Sequence, residues 1–192
     1  MLDEIVKNLG DKVTAFSQEG YMITLLTSKS YAKNIVQYLK EKKFNILTDL
    51  SAVDYPDREE RFEIIYNLLN IFDNQRVIIK FGLKDQEELE SIADVFNAAI
   101  WYEREVWDMF GVYFTNHPDL RRILTDYGFE GNPLRKDFPL TGFKEVHYDQ
   151  NQKKVIYSPV KLAQDYRNFD FLSPWEGPEY ILPGDEKAEK KL

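Results

Sequence analysis

Between residues 103 and 122 the chain gathers side chains able to do acid–base or ion-pair chemistry: Glu103, Arg104, Glu105, Asp108, His117, Arg121 and Arg122. His117 and His147 are the two histidines. An imidazole near carboxylates can relay protons around neutral pH. His117 also precedes Pro118, which favours extended backbone at 117; the sequence favours a local role in which the ring fixes that turn. The arginines suit carboxylate pairing better than catalysis, because the planar guanidinium makes bidentate bonds that tolerate partial burial. Glu103, Glu105 and Asp108 are available partners, within the chain or across an interface. Arg104 or Arg121 is therefore expected to be buried and paired, so that its loss leaves an uncompensated acid, at about 3–5 kcal/mol.

Other chemistries find little support. The segment Gly128, Phe129, Glu130, Gly131 is the nearest approach to a phosphate-binding loop. It matches neither the dinucleotide nor the Walker pattern and reads as a turn. No nucleophile-elbow motif marks a serine. Asp57, Glu59 and Glu60 lie in a charged, proline-containing loop that reads as solvated. The chain has no cysteine, which removes disulfides, a thiol nucleophile and Cys-ligated iron–sulfur clusters. Having only two histidines argues against a His-rich metal site. A formal charge of -8 and a pI near 4.9 argue against a nucleic-acid partner. The basic pairs Arg121–Arg122 and Arg135–Lys136 are short and flanked by acids. No apolar run reaches the roughly 18 residues of a membrane-spanning helix. The acidic N-terminus resembles neither a secretory signal nor a transit peptide, so the chain is expected to stay in the compartment that makes it.

These residues need a frame. Tyr102, Val106, Met109 and Phe110 recur at helical spacing and predict one apolar stripe, with Glu103, Arg104, Glu105 and Asp108 on the other faces. Gly111 stands where a left-handed C-cap is wanted. Read blandly, this is an amphipathic helix with a solvated charged face. Yet Trp101, Trp107, Tyr113 and Phe114 do not all fit beneath one stripe. Some must be buried on a second side, against this domain or against another protein.

Upstream, a helix is expected over 2–9 with Gly10 as stop, short strands over 13–16 and 21–27, and a helix over 31–42 with Tyr31, Ile35, Tyr38 and Leu39 inward. A strand over 44–53 frays into the charged loop. Strands over 62–72 and 76–83 form a hairpin about Asp73, Asn74 and Gln75. A helix is then expected over 87–97, with Leu89, Ile92, Val95 and Phe96 as its core face. Beyond 125 prolines break any long element, except for a last hairpin over 144–157. The tail still carries Tyr157, Tyr166, Phe169, Phe171, Trp175 and Tyr180, too many aromatics for an ordinary linker. It wraps its own domain or docks on another chain. The fold class is α+β: a mostly antiparallel sheet with helices packed on it, followed by a long extended C-terminal arm. The expected domains are 1–124, globular, and 125–192, a proline- and aromatic-rich partner-binding arm.

The order Glu103-Arg104-Glu105, Asp108, two apolar residues, His117, Arg121-Arg122-Ile123-Leu124 resembles the signature of the C subunit, the 30 kDa subunit family, of proton-translocating NADH–quinone oxidoreductase (respiratory complex I). The resemblance continues through 124–140, where Arg135, Lys136 and Asp137 stand, and through 171–183. It implies a structural and assembly role in the peripheral arm, docked on the D subunit and close to the B subunit near the quinone site. It implies no cofactor in this chain, with FMN and Fe–S clusters in partner subunits. It implies a membrane association that is only indirect, on the cytoplasmic side of a bacterial inner membrane, or the matrix side for an organelle-encoded chain. Glu103, Arg104, Glu105, Asp108, His117, Arg121, Arg122, Arg135, Lys136 and Asp137 are expected to carry fold or interface, and none to be catalytic. Two rivals stand beside this reading: the equivalent subunit of a related membrane-bound hydrogenase or quinone-reducing dehydrogenase, and a free-standing soluble enzyme using His117.

Overall fold

The structure, a computed structural model, describes residues 2–164. The first helix, α1 (Leu2–Leu9), buries Ile5 and Leu9 and stops at Gly10, whose φ is +51°. One 3-10 turn leads into β1 (Val13–Glu19) and β2 (Met22–Thr27). Helix α2 (Lys29–Glu41) follows, then β3 (Ile46–Asp54), β4 (Phe62–Asn70) and β5 (Gln75–Leu83). The short strand β6 (Leu89–Glu90) precedes α3 (Ala99–Phe110), and β7 (Phe114–Thr115) pairs with it in parallel. A separate hairpin, β8 (Lys144–Asp149) and β9 (Lys154–Pro159), ends the described elements.

Five strands form the main sheet in the order β1-β2-β5-β4-β3. All its pairings are antiparallel except β2 with β5. Alternation along β4 places Phe62, Ile64, Tyr66 and Leu68 inward, and along β5 Val77, Ile79, Phe81 and Leu83. Ala32, Ile35, Val36 and Leu39 of α2 and Val106, Met109 and Phe110 of α3 complete this core. In α2 the inward face differs in part from the expected one: Ala32 and Val36 are buried, whereas Tyr31 is exposed and Tyr38 half-buried.

Helix α2 ends in a Schellman arrangement. The Phe44 N–H donates to the Leu39 carbonyl (3.0 Å) and the Lys43 N–H to the Lys40 carbonyl (3.1 Å), and the fully buried Phe44 and Leu39 supply the hydrophobic contact usual there. The left-handed residue is Lys43, at φ +70°, where a Cβ is penalised. Lys43→Gly is expected to raise stability by about 0.5–1 kcal/mol. A higher urea midpoint at unchanged slope would show it; an unchanged or lower midpoint would not fit.

The helix expected over 87–97 does not form. Leu89, Ile92 and Phe96 are buried as expected, but β6 and a series of turns carry them. The backbone there is claimed from elsewhere: the Leu89 and Ser91 N–H groups donate to the Tyr113 and Thr115 carbonyls (2.9 and 3.0 Å), and the Ile92 N–H donates to Glu103 Oε1 (2.8 Å). The boundary expected after 124 also moves. The chain divides into compact units after Phe143, because residues 122–135 are hydrogen-bonded to α3, as described next. The aromatic tail from Tyr166 onward lies outside the described residues.

Candidate functional site

Helix α3 forms where the apolar stripe requires and stops at Gly111, which adopts φ +81° and donates its N–H to the Trp107 carbonyl (2.9 Å). A helix end leaves its last carbonyls without intrahelical donors. The segment 132–135 supplies them. Asn132 Nδ2 donates to the Trp107 and Asp108 carbonyls (3.3 and 3.0 Å). The Leu134 N–H donates to Met109 O (3.0 Å), and Arg135 Nη1 reaches Phe110 O (3.5 Å). A Cβ at position 111 would stand 2.8 Å from Asn132 Oδ1, so glycine is needed both for the turn and for the close approach.

Asp108 organises the preceding segment. Its side chain has no solvent exposure. Oδ2 accepts the backbone N–H groups of Ile123, Leu124 and Thr125 (3.0, 2.8 and 3.0 Å). Oδ1 accepts from the Thr125 hydroxyl (2.6 Å) and from Arg122 Nη1 (2.7 Å). Burial by itself would raise the Asp108 carboxyl; the hydrogen bonds from Thr125, Ile123 and Arg122 outweigh it and hold the group well below the usual carboxylate range. Arg122 also donates to Gly131 O (3.1 Å) and lies over the Trp107 and Phe129 rings.

Arg104 is buried as expected, but among the described residues its partners are carbonyls and not a carboxylate. It donates from Nε to Arg121 O and from Nη2 to Arg122 O, both at 3.0 Å, with Trp101 stacked near it. The Arg121 side chain departs further from expectation: it is exposed and pairs with Asp119 at 2.9 Å. Adjacent residues thus divide the roles: Arg121 offers its carbonyl, Arg122 its guanidinium. Glu105 is exposed.

A second ion-pair cluster ties 135–137 to the sheet. Arg61 grips Asp54 with both arms, Nε to Oδ1 at 2.7 Å and Nη2 to Oδ2 at 2.9 Å, and reaches Asp137 at 3.0 Å. The Lys136 N–H donates to Asp54 Oδ2 (2.7 Å). Arg135 pairs with Asp85 (2.8 Å), and Arg61 and Arg135 both lie against the Phe62 ring. The Arg61 guanidinium lowers the Asp54 carboxyl, and Arg135 lowers Asp85. Sequence reasoning singled out Arg135, Lys136 and Asp137 but missed Asp54, Arg61, Asp85, Thr125 and Asn132. One signal was present: alternation along β3 continues Leu50 and Ala52 inward to Asp54, a polar residue at an inward position that must find a partner.

His117 and Glu103 meet inside the fold, with Nε2 3.9 Å from Oε2 and neither side chain exposed. His117 Nδ1 accepts the Asp119 N–H (3.0 Å), and Nε2 faces the Ile100 carbonyl (3.1 Å). These contacts tie the ring to α3 on one side and to the turn at Pro118 on the other. A cavity of about 430 Å³ is lined by Arg58, Glu59, Glu60, Glu63, Gly82 and Lys84, so His117 and Glu103 are not among its walls. Among exposed charges such as Glu105 and Arg121, α3 and the segment after it also present large apolar side chains outward: Trp101 (60% exposed), Leu124 (62%), Tyr127 (86%) and Leu140 (84%), with Tyr113 and Leu134 also exposed.

The class follows from comparison with known proteins. Residues 25–144 match the family described as respiratory-chain NADH dehydrogenase, 30 Kd subunit, and the chain belongs to that family. Among its relatives is the C subunit of the NADH-quinone oxidoreductase of Chelativorans sp. (strain BNC1), 56% identical over 94% of this chain and 86% of the relative. Another is the C subunit of the Parvibaculum lavamentivorans enzyme, 48% identical over 98% of this chain and 100% of the relative. A solved trypsin-resistant fragment (1-134) of Nqo5 is 28% identical, with a TM-score of 0.53 over 62% of this chain and 96% of that one. A chain of the membrane-bound sulfane sulfur reductase, an archaeal respiratory membrane complex, is 25% identical, with a TM-score of 0.65 over 72% of this chain and 84% of that one.

Proposed function

We propose that this chain is a structural and assembly subunit of the peripheral arm of NADH–quinone oxidoreductase, respiratory complex I, and holds no cofactor itself. In that enzyme FMN and Fe–S clusters in partner subunits carry electrons from NADH to quinone, coupled to proton translocation. The chain docks on the D subunit, close to the B subunit and the quinone site. It meets the membrane only through the complex, on the cytoplasmic side of the bacterial inner membrane. The carrying observation is the loop fixed by Asp108 and Asn132 that holds Leu124 and Tyr127 out in solvent. Ordering large apolar side chains on an exposed frame is the mark of a protein-binding surface.

The related-complex reading draws on the likeness to the sulfane sulfur reductase chain, but that identity is 25% against 56% for the Chelativorans relative. A soluble enzyme centred on His117 gains no support from the side chains of His117 and Glu103, which have no solvent exposure and do not line the cavity described above.

The test uses Leu124→Glu/Tyr127→Glu. Both side chains are exposed, so the purified variant is expected to melt within about 1 °C of the parent. It is also expected to fail to restore NADH–quinone reductase to membranes of a strain lacking this chain. Full restoration by a folded variant would remove this surface from the docking account.

A further inference from the structure

Glu103 lacks what Asp108 has. Both side chains are without solvent exposure, but Asp108 faces a guanidinium and three backbone N–H groups. The described donors to Glu103 are the Ser91 hydroxyl (2.6 Å to Oε2) and the Ile92 N–H (2.8 Å to Oε1). Among the described residues no lysine or arginine forms an ion pair with it. His117 stands off at 3.9 Å, and its Nδ1 is taken up by the Asp119 N–H. Lys33 of α2 is engaged by Glu90 (2.9 Å) and Asp94 (3.0 Å); its charge favours an ionised Glu103 and that of Asp94 opposes it, both weaker than the burial that disfavours the charge. From β4, the buried Tyr66 hydroxyl has no hydrogen-bond partner among the described residues. Burial and the nearby Glu103 charge push that phenol up.

We propose that Glu103 is an internal proton-exchange site, taking up and releasing one proton while Ser91 holds it in either state. When the carboxyl is ionised, the Ser91 O–H donates to Oε2. When it is protonated, its own O–H donates to Ser91 Oγ, which also accepts the Ala93 N–H (3.1 Å). The 91–93 segment therefore stays tied to α3 in both states, and what changes is a buried charge. Burial pushes the carboxyl up to about 7 despite the two hydrogen bonds, which puts the exchange near neutral pH. The sign follows from linkage. The folded chain holds the proton more tightly than the unfolded one, whose carboxyl titrates near the ordinary 4.5. Stability from this group is therefore highest below that value and falls as pH rises to about 7. This inference concerns the chain's own fold and does not rest on the docking reading.

The test is infrared titration of the full chain from about pH 6 to about pH 8, following the carbonyl stretch of a protonated carboxylic acid. The wild type is expected to lose one such band with a midpoint near 7. Glu103→Gln, which keeps the shape and the bond to Ser91, is expected to lack the band and to show a melting temperature flatter with pH than the wild type. Ser91→Ala removes a donor from the ionised form and should move the midpoint upward. Absence of the band in wild type, its survival in Glu103→Gln, or parallel melting profiles would overturn the proposal. Should Glu103→Gln not fold, an unmoved midpoint in Ser91→Ala overturns it equally.

Discussion

Asp108→Ala is expected to destabilise the purified chain by about 3–5 kcal/mol. The variant removes one carboxylate and strands the three backbone N–H groups it accepts at residues 123–125, together with the Thr125 hydroxyl and the Arg122 guanidinium. Each buried donor left unmade costs about 1–3 kcal/mol, and local relaxation returns part of that sum. Asp108→Asn is a sharper control. It is nearly isosteric, but its amide nitrogen must face either the N–H cluster or the Arg122 side, so it should recover little of the loss. The pH dependence has a definite sign. The folded carboxyl lies below its ordinary 3.8, so its contribution is complete above that value and is lost as pH falls through the folded value. In a urea titration across acid pH, the gap between wild type and Asp108→Ala should close as pH drops. A gap that stays constant with pH would count against the carboxylate as the source.

Arg61→Ala should have a comparable effect for a different reason. Asp54 is without side-chain exposure, and losing Arg61 leaves that carboxylate with the Lys136 N–H as its remaining described hydrogen-bond donor. An uncompensated buried charge costs about 3–5 kcal/mol. Arg61→Lys keeps the charge but not the two-armed grip, so it should recover only part of the loss. The same change cuts the tether to Asp137, so residues 135–138 should become protease-sensitive before the sheet unfolds. Cleavage that appears only with global unfolding would show that Arg135 and Asp85 hold the loop without Arg61.

Where chemistry is local, the sequence is easy to read. The stripe Tyr102, Val106, Met109 and Phe110 gave α3, and Gly111 gave its end. The two hairpins followed from alternation and turn residues. Long-range bonding was not legible. Residues 87–97 carry helical spacing, yet Glu103 and the strand β7 take the backbone groups a helix would need. The acids of α3 looked like a solvated face because their partners are remote in sequence: Ser91 and Ile92 for Glu103, and 122–125 for Asp108. That Arg122 rather than Arg121 turns inward depends on the path of a loop with no periodicity. Of the charge order that marks the family, Arg104, Asp108 and Arg122 are the groups that tie residues 121–131 to α3.

The central claim is that this fastening serves assembly into NADH–quinone oxidoreductase. The most direct measurement is a tagged pull-down of the full chain from gently solubilised membranes, with co-purifying proteins identified and NADH–quinone reductase assayed. The expected result is recovery with a homologue of the D subunit and with cluster-bearing partners, active for the wild type and lost for Asp108→Ala. Recovery of a stable lone chain, absent from the membrane fraction, would contradict it.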